Sequence, residues 1–299
     1  MTTDKLAFVS QLAPHAAAPT SGVPRVSVVM PAYNAETTIA ETLDSILAQT
    51  FEDFELVAVD DCSTDATPRI LAEYAARDPR VRVVRNERNS RICRTLNHGI
   101  EVARAALIAR IDADDWCYPD RLAKQVAYMD AHPEVVVSGG TIEICDERLQ
   151  PLTIRAYHPD DRAIRAQLFR YSPFAHPAVI YRTEAVRAVG GYNPSLREGE
   201  DYDLYFRLGT LGAFGNLPDR LIRLRTSRTS LTQVQGRRLE LRTLYIRVKA
   251  VSEYGYRMSV MDATYFAAQL VTMFLMPSWL RFWAFAFVRS RLGGGSTTR

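Results

Sequence analysis

The chain has 299 residues, of which 47% are hydrophobic, enough to build a core and too many for a disordered protein. Its formal net charge is only +3, with 37 basic residues spread along the sequence and denser after position 220, which argues against nucleic-acid binding. Cys62, Cys93, Cys117 and Cys145 form no C-x-x-C pair and read as reduced thiols of a cytosolic chain.

Residues 1–24 are rich in Ala, Pro and Thr, lack the basic and apolar regions of a signal peptide, and are expected to be a flexible lead. From Arg25 to Val137 short β-branched runs alternate with amphipathic helices, the pattern of a mainly parallel sheet covered on both faces. Val26–Met30 is a strand, followed by a helix carrying Ile39, Leu43, Ile46 and Leu47 on one face. Phe54–Val59 is a second strand, and Pro68 suits the first turn of a helix that turns Ile70, Leu71 and Tyr74 inward. Val81–Val84 is a third strand, Ile92 to Ala103 a helix, and Leu107–Ile111 a fourth strand. A helix over Pro119–Ala131, strands at Val135–Val137 and Ala178–Tyr181, and a short helix from Glu200 complete the pattern; no internal repeat is visible.

Ligands of open α/β sheets bind outside the carboxyl ends of the strands. Three of these strands run into polar residues: Tyr33 and Asn34, then Asp60 and Asp61, then Asp112-Ala113-Asp114-Asp115. Carboxylates crowded behind an apolar strand repel one another, and a hard divalent cation, Mg²⁺ or Mn²⁺, relieves that. The alternative is a solvated loop of helix-capping aspartates before Pro119. Asp60 and Asp61, followed by Ser63, Thr64 and Asp65, read equally as turn and N-cap residues. Glu200 and Asp201 stand where acidic side chains favour a helix start, and in a cleft either can act as a general base.

Four ordered motifs, Val28-Val29-Met30-Pro31-Ala32-Tyr33-Asn34, Val59-Asp60-Asp61-Cys62-Ser63-Thr64-Asp65, Ile108-Ala109-Arg110-Ile111-Asp112-Ala113-Asp114-Asp115, and Gly190-Gly191-Tyr192 with Glu200-Asp201-Tyr202-Asp203-Leu204, make the chain resemble the family 2 glycosyltransferases. The resemblance spans roughly Val26 to Ser230. It implies the GT-A fold, a Rossmann-like sheet flanked by helices, and an inverting transfer from a nucleoside-diphosphate sugar, UDP-linked in many members. By the same resemblance Pro31, Ala32, Tyr33, Asn34 and one or both of Asp60 and Asp61 contact the nucleoside. Asp112, Ala113 and Asp114 form the D-x-D segment for ribose, diphosphate and metal. Asp201 is the base, Glu200 orients the acceptor, and His176 and Tyr202 line the acceptor side.

The chain departs from the family pattern at three places. Cys62 replaces the usual Gly of the Asp-Asp-Gly-Ser turn. Arg91 stands where Gly often follows Asn, and Arg94 where a basic residue sometimes falls; either reaches a phosphate or is an ordinary solvated helix residue. Ser227 replaces a late His ligand, so metal binding is expected to be weak without the nucleotide.

The catalytic domain is expected over 25–232, a helical extension over 233–292 and a flexible tail over 293–299. Asp262 and Arg281 enclose 18 uncharged residues, a length that barely reaches a bilayer span and contains Pro277. Two interfacial helices on the cytoplasmic face of a membrane are expected, helped by Arg237, Arg238, Arg242, Arg247 and Lys249 and suited to a lipid-linked acceptor. A helical cap on the catalytic domain or a homodimer interface is the alternative. A sugar-phosphate nucleotidyltransferase would need a Gly-rich phosphate loop after the first strand, which Pro31-Ala32-Tyr33-Asn34 is not. A non-catalytic binder of nucleotide-sugar or glycan is the other rival, and the Glu200-Asp201 pair argues against it.

Overall fold

The computed structural model describes residues 22–226 and 236–276. The expectations for most of the N-terminal lead, for Ser227, for the side chain of Arg237 and for residues 277–299 lie outside the described residues.

Strands β1 (Val26–Ala32) and β2 (Phe54–Asp60) are buried at every position, as their unbroken apolar runs require. β1 pairs in parallel with β2 and with β4 (Leu107–Arg110), and β2 pairs in parallel with β3 (Val81–Arg85). Side chains alternate between two cores: Val29, Val57 and Val59 face one, while Val28, Met30, Leu56 and Ala58 face the other. Helix α1 (Ile39–Leu47) and helix α2 (Thr67–Arg77), with Pro68 in its first turn, cover the second core through Leu43, Ile46 and Leu71. Helix α3 (Arg91–Val102) covers the first. A Cβ at Gly99 of α3 would stand 2.4 Å from a Val29 methyl, so glycine lets the helix lie flush on β1.

Past β4 the sheet is mixed. Its order is β3-β2-β1-β4-β8-β6-β9-β5, with β7 beside β6. β8 (Ile180–Arg182) is antiparallel to β4 and to β6 (Val135–Cys145), β9 (Ala213–Arg225) runs parallel to β6, and β5 (Trp116–Cys117) closes the edge antiparallel to β9. β7 (Pro151–Arg155) pairs antiparallel with β6. The parallel sheet expected from the sequence is thus the β3-β2-β1-β4 half. β6 runs well beyond the expected Val135–Val137, through Gly139-Gly140, and β9 had no counterpart in the sequence reading. The expected strand at Ala178–Tyr181 divides into a 3₁₀ turn, His176–Ala178, and β8.

Helices α4 (Arg121–Ala131), α5 (Asp161–Gln167), α6 (Thr183–Ala188) and α7 (Glu200–Leu208) flank this half. Helix α8 (Gly236–Ser252) buries Ile246 and Ala250 in the core it shares with β1, β2 and α7, and α9 (Val260–Leu275) follows. Among the described residues no helix is long and apolar enough to cross a membrane.

Candidate active site

The carboxyl ends of β1, β2 and β4 open side by side. Pro31 and Ala32 are buried at the end of β1, Tyr33 is half exposed, and Asn34 adopts a left-handed backbone at φ 49°. The Asn34 amide N–H donates to Ser63 Oγ at 3.0 Å, and Asn34 Oδ1 accepts the Thr64 N–H at 2.9 Å, which ties the first exit to the second. Asp60 accepts the Ser63 N–H at 3.0 Å and pairs with Arg85 at 3.2 Å. Asp61 is committed to the loop before α3, accepting from Asn86 Nδ2 at 2.7 Å and from the backbone N–H groups of Ser90 and Arg91 at 2.8 and 2.9 Å.

Cys62 and Arg91, which replace glycines of the family pattern, keep the glycine backbone, at φ 64° and 66°. The turn therefore survives, at a cost of about 1 kcal/mol for each side chain held in the left-handed region. Arg94 is exposed on α3 and has no ion pair among the described residues.

One carboxylate oxygen from each of Asp112, Asp114 and Asp115 lies within 4.8 Å of the others. Helix α1 fixes the backbone of this run: Thr38 Oγ1 donates to the Ala113 carbonyl at 3.1 Å and Thr42 Oγ1 to the Asp115 carbonyl at 2.7 Å. Desolvation and the negative charge of Asp112 push Asp114 up to about 6. Asp115, buried beside both neighbours, is pushed well above the usual carboxylate range. Its Oδ1 accepts the Arg225 N–H at 2.9 Å, while Oδ2 is buried without a partner. Crowded hard oxygens, one of them orphaned, suit a divalent cation held by Asp114 and Asp115.

Asp112 is engaged from below. Both nitrogens of the Arg110 fork bond its two oxygens, Nη1 at 2.7 Å. Arg110 lies in β4, is 4% exposed, and has its Nε buried without a partner. A second buried arginine, Arg121 of α4, donates to the Arg110 carbonyl at 2.6 Å and so pins the exit of β4.

Glu200 and Asp201 open α7 behind Gly199, at φ 73°. Desolvation and Asp201 push Glu200 up to about 7; Asp112 adds to this and Arg110 opposes it. Asp201 is raised by desolvation, against the pull of its own helix N–H groups and of Arg110. The Arg110 cation therefore acts on both acidic groups. His176 Nε2 lies 2.7 Å from the Tyr192 hydroxyl, itself 2.9 Å from that of Tyr181. Burial and Arg110 hold His176 well below its usual range, hence neutral.

The sequence model of glycosyl transferase family 2 matches residues 27–190. The chain belongs to this family. Bacillus subtilis (strain 168) EpsE is 37% identical over 207 residues, 68% of this chain and 73% of EpsE. Amylovoran biosynthesis glycosyltransferase AmsE of Erwinia amylovora is 33% identical over 219 residues, 70% of this chain and 79% of AmsE. The fold is that of S. aureus TarS 1-349 crystallised with UDP (TM-score 0.63, 21% identity, 84% of this chain and 72% of that one). It is also that of the mannosyltransferase PcManGT from Pyrobaculum calidifontis with GDP-Man and Mn2+ (TM-score 0.60, 19% identity, 95% and 88%). The sheet flanked by helices is thus the expected GT-A arrangement.

In this family 2 glycosyltransferase the structure gathers Asp112, Asp114, Glu200, Asp201 and His176 around Arg110, but turns Tyr202 away. The Tyr202 ring is buried, and its hydroxyl donates to the Leu168 carbonyl and accepts from Arg247 Nε at 3.2 Å, so it faces α8. Arg110, Arg121 and the orphaned oxygen of Asp115 were not foreseen. The available signal was an arginine inside the apolar run Leu107–Ile111, directly before the acidic residues.

Proposed function

We propose that this glycosyltransferase moves a sugar, with inversion, from a nucleoside-diphosphate donor, UDP-linked, to a hydroxyl of a glycan or lipid-linked saccharide in cell-surface polysaccharide synthesis. The observation that carries this is that Asp112, bonded to Arg110 at the carboxyl end of β4, and the pair Glu200–Asp201 lie within electrostatic reach of the same buried cation. The names of AmsE and of succinoglycan biosynthesis protein ExoO (35% identical over 196 residues) support the polysaccharide setting, and the TarS complex with UDP supports the donor.

Pro31, Ala32, Tyr33, Asn34 and Asp60 receive the nucleoside, with Asp61 holding the loop beside them. Arg94, exposed on α3, is the cation free to meet a phosphate. Asp114 and Asp115, with Asp112 held by Arg110, take a divalent cation, Mn²⁺ or Mg²⁺; when bound, it neutralises charge gathering on the leaving diphosphate. The Asp201 carboxylate takes the acceptor hydroxyl proton as that oxygen attacks the anomeric carbon opposite the breaking C–O bond. Glu200 and neutral His176 orient the acceptor.

The protein associates peripherally with the cytoplasmic face of a membrane through α9. Much of its apolar surface is exposed, including Val271, Phe274 and Leu275. Of the basic residues assigned to this role from the sequence, Arg247 is buried, and Lys249 pairs with Glu253 just past α8 and bonds to Tyr254, so neither is available to lipid.

UDP release from a panel of UDP-sugars, with and without Mn²⁺, tests the reading. Asp201→Asn is expected to lose at least about a hundredfold in turnover at unchanged melting temperature. Normal turnover by that variant would remove Asp201 from the role, and no turnover of any nucleotide-sugar would leave a binding protein.

A further inference from the structure

A groove of about 800 Å³ lies between α5 and the start of α9, lined by Arg162, Arg165, Arg170, Arg257, Val260 and Asp262 among others and by none of the candidate active-site residues. Two of its four arginines are committed to the fold. Arg165 pairs with Asp161 at 2.8 Å and donates to the carbonyls of Gly209 and Gly212, while Arg170 pairs with Asp262 at 2.9 Å. Arg162 and Arg257 are exposed and have no acidic partner among the described residues. The groove therefore carries two unbalanced cations.

Its rim is apolar. Val260 is 86% exposed and Met261 63%. Val260, Ala267, Val271 and Phe274 recur at the spacing of one helical face, so an apolar stripe that is uncovered among the described residues runs from the groove along α9. A cationic seat at the head of an apolar stripe is complementary to an amphipathic anion whose phosphate adjoins its hydrocarbon. A guanidinium fork meets phosphate oxygens in pairs, and α9 is too short and too amphipathic to cross a bilayer.

We propose that this groove seats the phosphate headgroup of an anionic phospholipid through Arg162 and Arg257, so that α9 lies along the bilayer surface with its stripe against the acyl chains. The proposal rests on the peripheral-membrane reading above and names its lipid partner. It also replaces Arg247 and Lys249, which are used internally, with cations that reach the surface.

Flotation of the full-length protein with vesicles of phosphatidylcholine alone, or mixed with phosphatidylglycerol, tests it. Wild type should float with the mixed vesicles and hardly with phosphatidylcholine. R162Q/R257Q should weaken that binding about thirtyfold, a basic residue at a charged membrane surface contributing about a factor of five, with UDP release in solution unchanged. F274S should weaken binding to both vesicle types. If wild type binds neither vesicle, the membrane reading itself fails. If it binds both equally, or if R162Q/R257Q floats as well as wild type, the headgroup seat fails and the membrane reading stands. Stabilisation by inorganic phosphate that R162Q/R257Q abolishes, without flotation, would assign the groove to a soluble phosphate. A dimer in solution that F274S dissociates, without flotation, would assign the stripe to a second copy.

Discussion

Arg110 holds a full charge inside the sheet, where an uncompensated ion costs several kcal/mol, and its compensation is the carboxylates of the site. Because the cation draws the carboxyl groups of Glu200 and Asp201 downward, its removal lets both rise. A base must be ionised to work, so the acidic limb of the pH–turnover curve should move to higher pH in Arg110→Met. In Arg110→Lys, which keeps the charge and loses the fork, the limb should stay while turnover falls. An unmoved limb in Arg110→Met would sink this account. Cys62 offers a backbone test: Cys62→Gly should unfold in urea near wild type, and Cys62→Val about 2 kcal/mol below it, because a β-branched side chain tolerates φ 64° poorly. The acidic residues at the strand exits were legible because charge following a buried strand is conspicuous. Tyr202 was misplaced by adjacency: successive helix residues point about 100° apart, so the neighbour of Asp201 faces another side.

At the level of elements, the parallel half was readable from its apolar runs and the rest was not. Two adjacent glycines ordinarily mark a turn, yet Gly139-Gly140 lies within β6, where a Cβ would fall 2.7 Å from Asn216 Oδ1 or 2.6 Å from a Leu221 methyl. The glycines are there for close approach. β9 escaped notice because Pro218 interrupts it, at the place where its register with β6 shifts. In the sequence Arg247 is one of a run of basic residues, and nothing local marks it as buried. Its side chain donates to Tyr202 Oη, to Gln269 Oε1 at 2.6 Å and to the Arg170 carbonyl at 3.1 Å, and so joins α7, α8, α9 and the turn after α5. Arg247→Met should therefore lower unfolding stability by about 2 kcal/mol or more, a loss that a surface cation would not show.

For the molecule as a whole, the site sets a pH dependence that ligand should reverse. Folding raises Asp114 from 3.8 to about 6 and Glu200 from 4.5 to about 7, with Asp115 and Asp201 moving the same way. A carboxyl group raised on folding binds its proton more tightly in the native state, so its contribution is fully present below the unfolded value and is lost as pH rises through the folded one. Glu55, Asp65 and Asp78 are lowered on folding and act oppositely, but their contribution is lost only as pH falls below the ordinary carboxylate range; His176, held neutral by burial, also acts oppositely and does so within the interval, as one group against four. Between pH 5 and about 7.5 the raised groups dominate, and the ligand-free protein should become less stable as pH rises. A cation with UDP demands the ionised acidic cluster, so its stabilisation should grow over the same interval. At a hundredfold excess over the dissociation constant it amounts to about 2.7 kcal/mol. Melting curves with Mn²⁺ alone, UDP alone and both together decide the matter: the pair should stabilise most and increasingly toward pH 7.5. A ligand-free stability that climbs across this interval, or a Mn²⁺ effect independent of pH and of UDP, would show that the carboxylates are not the site's strained element.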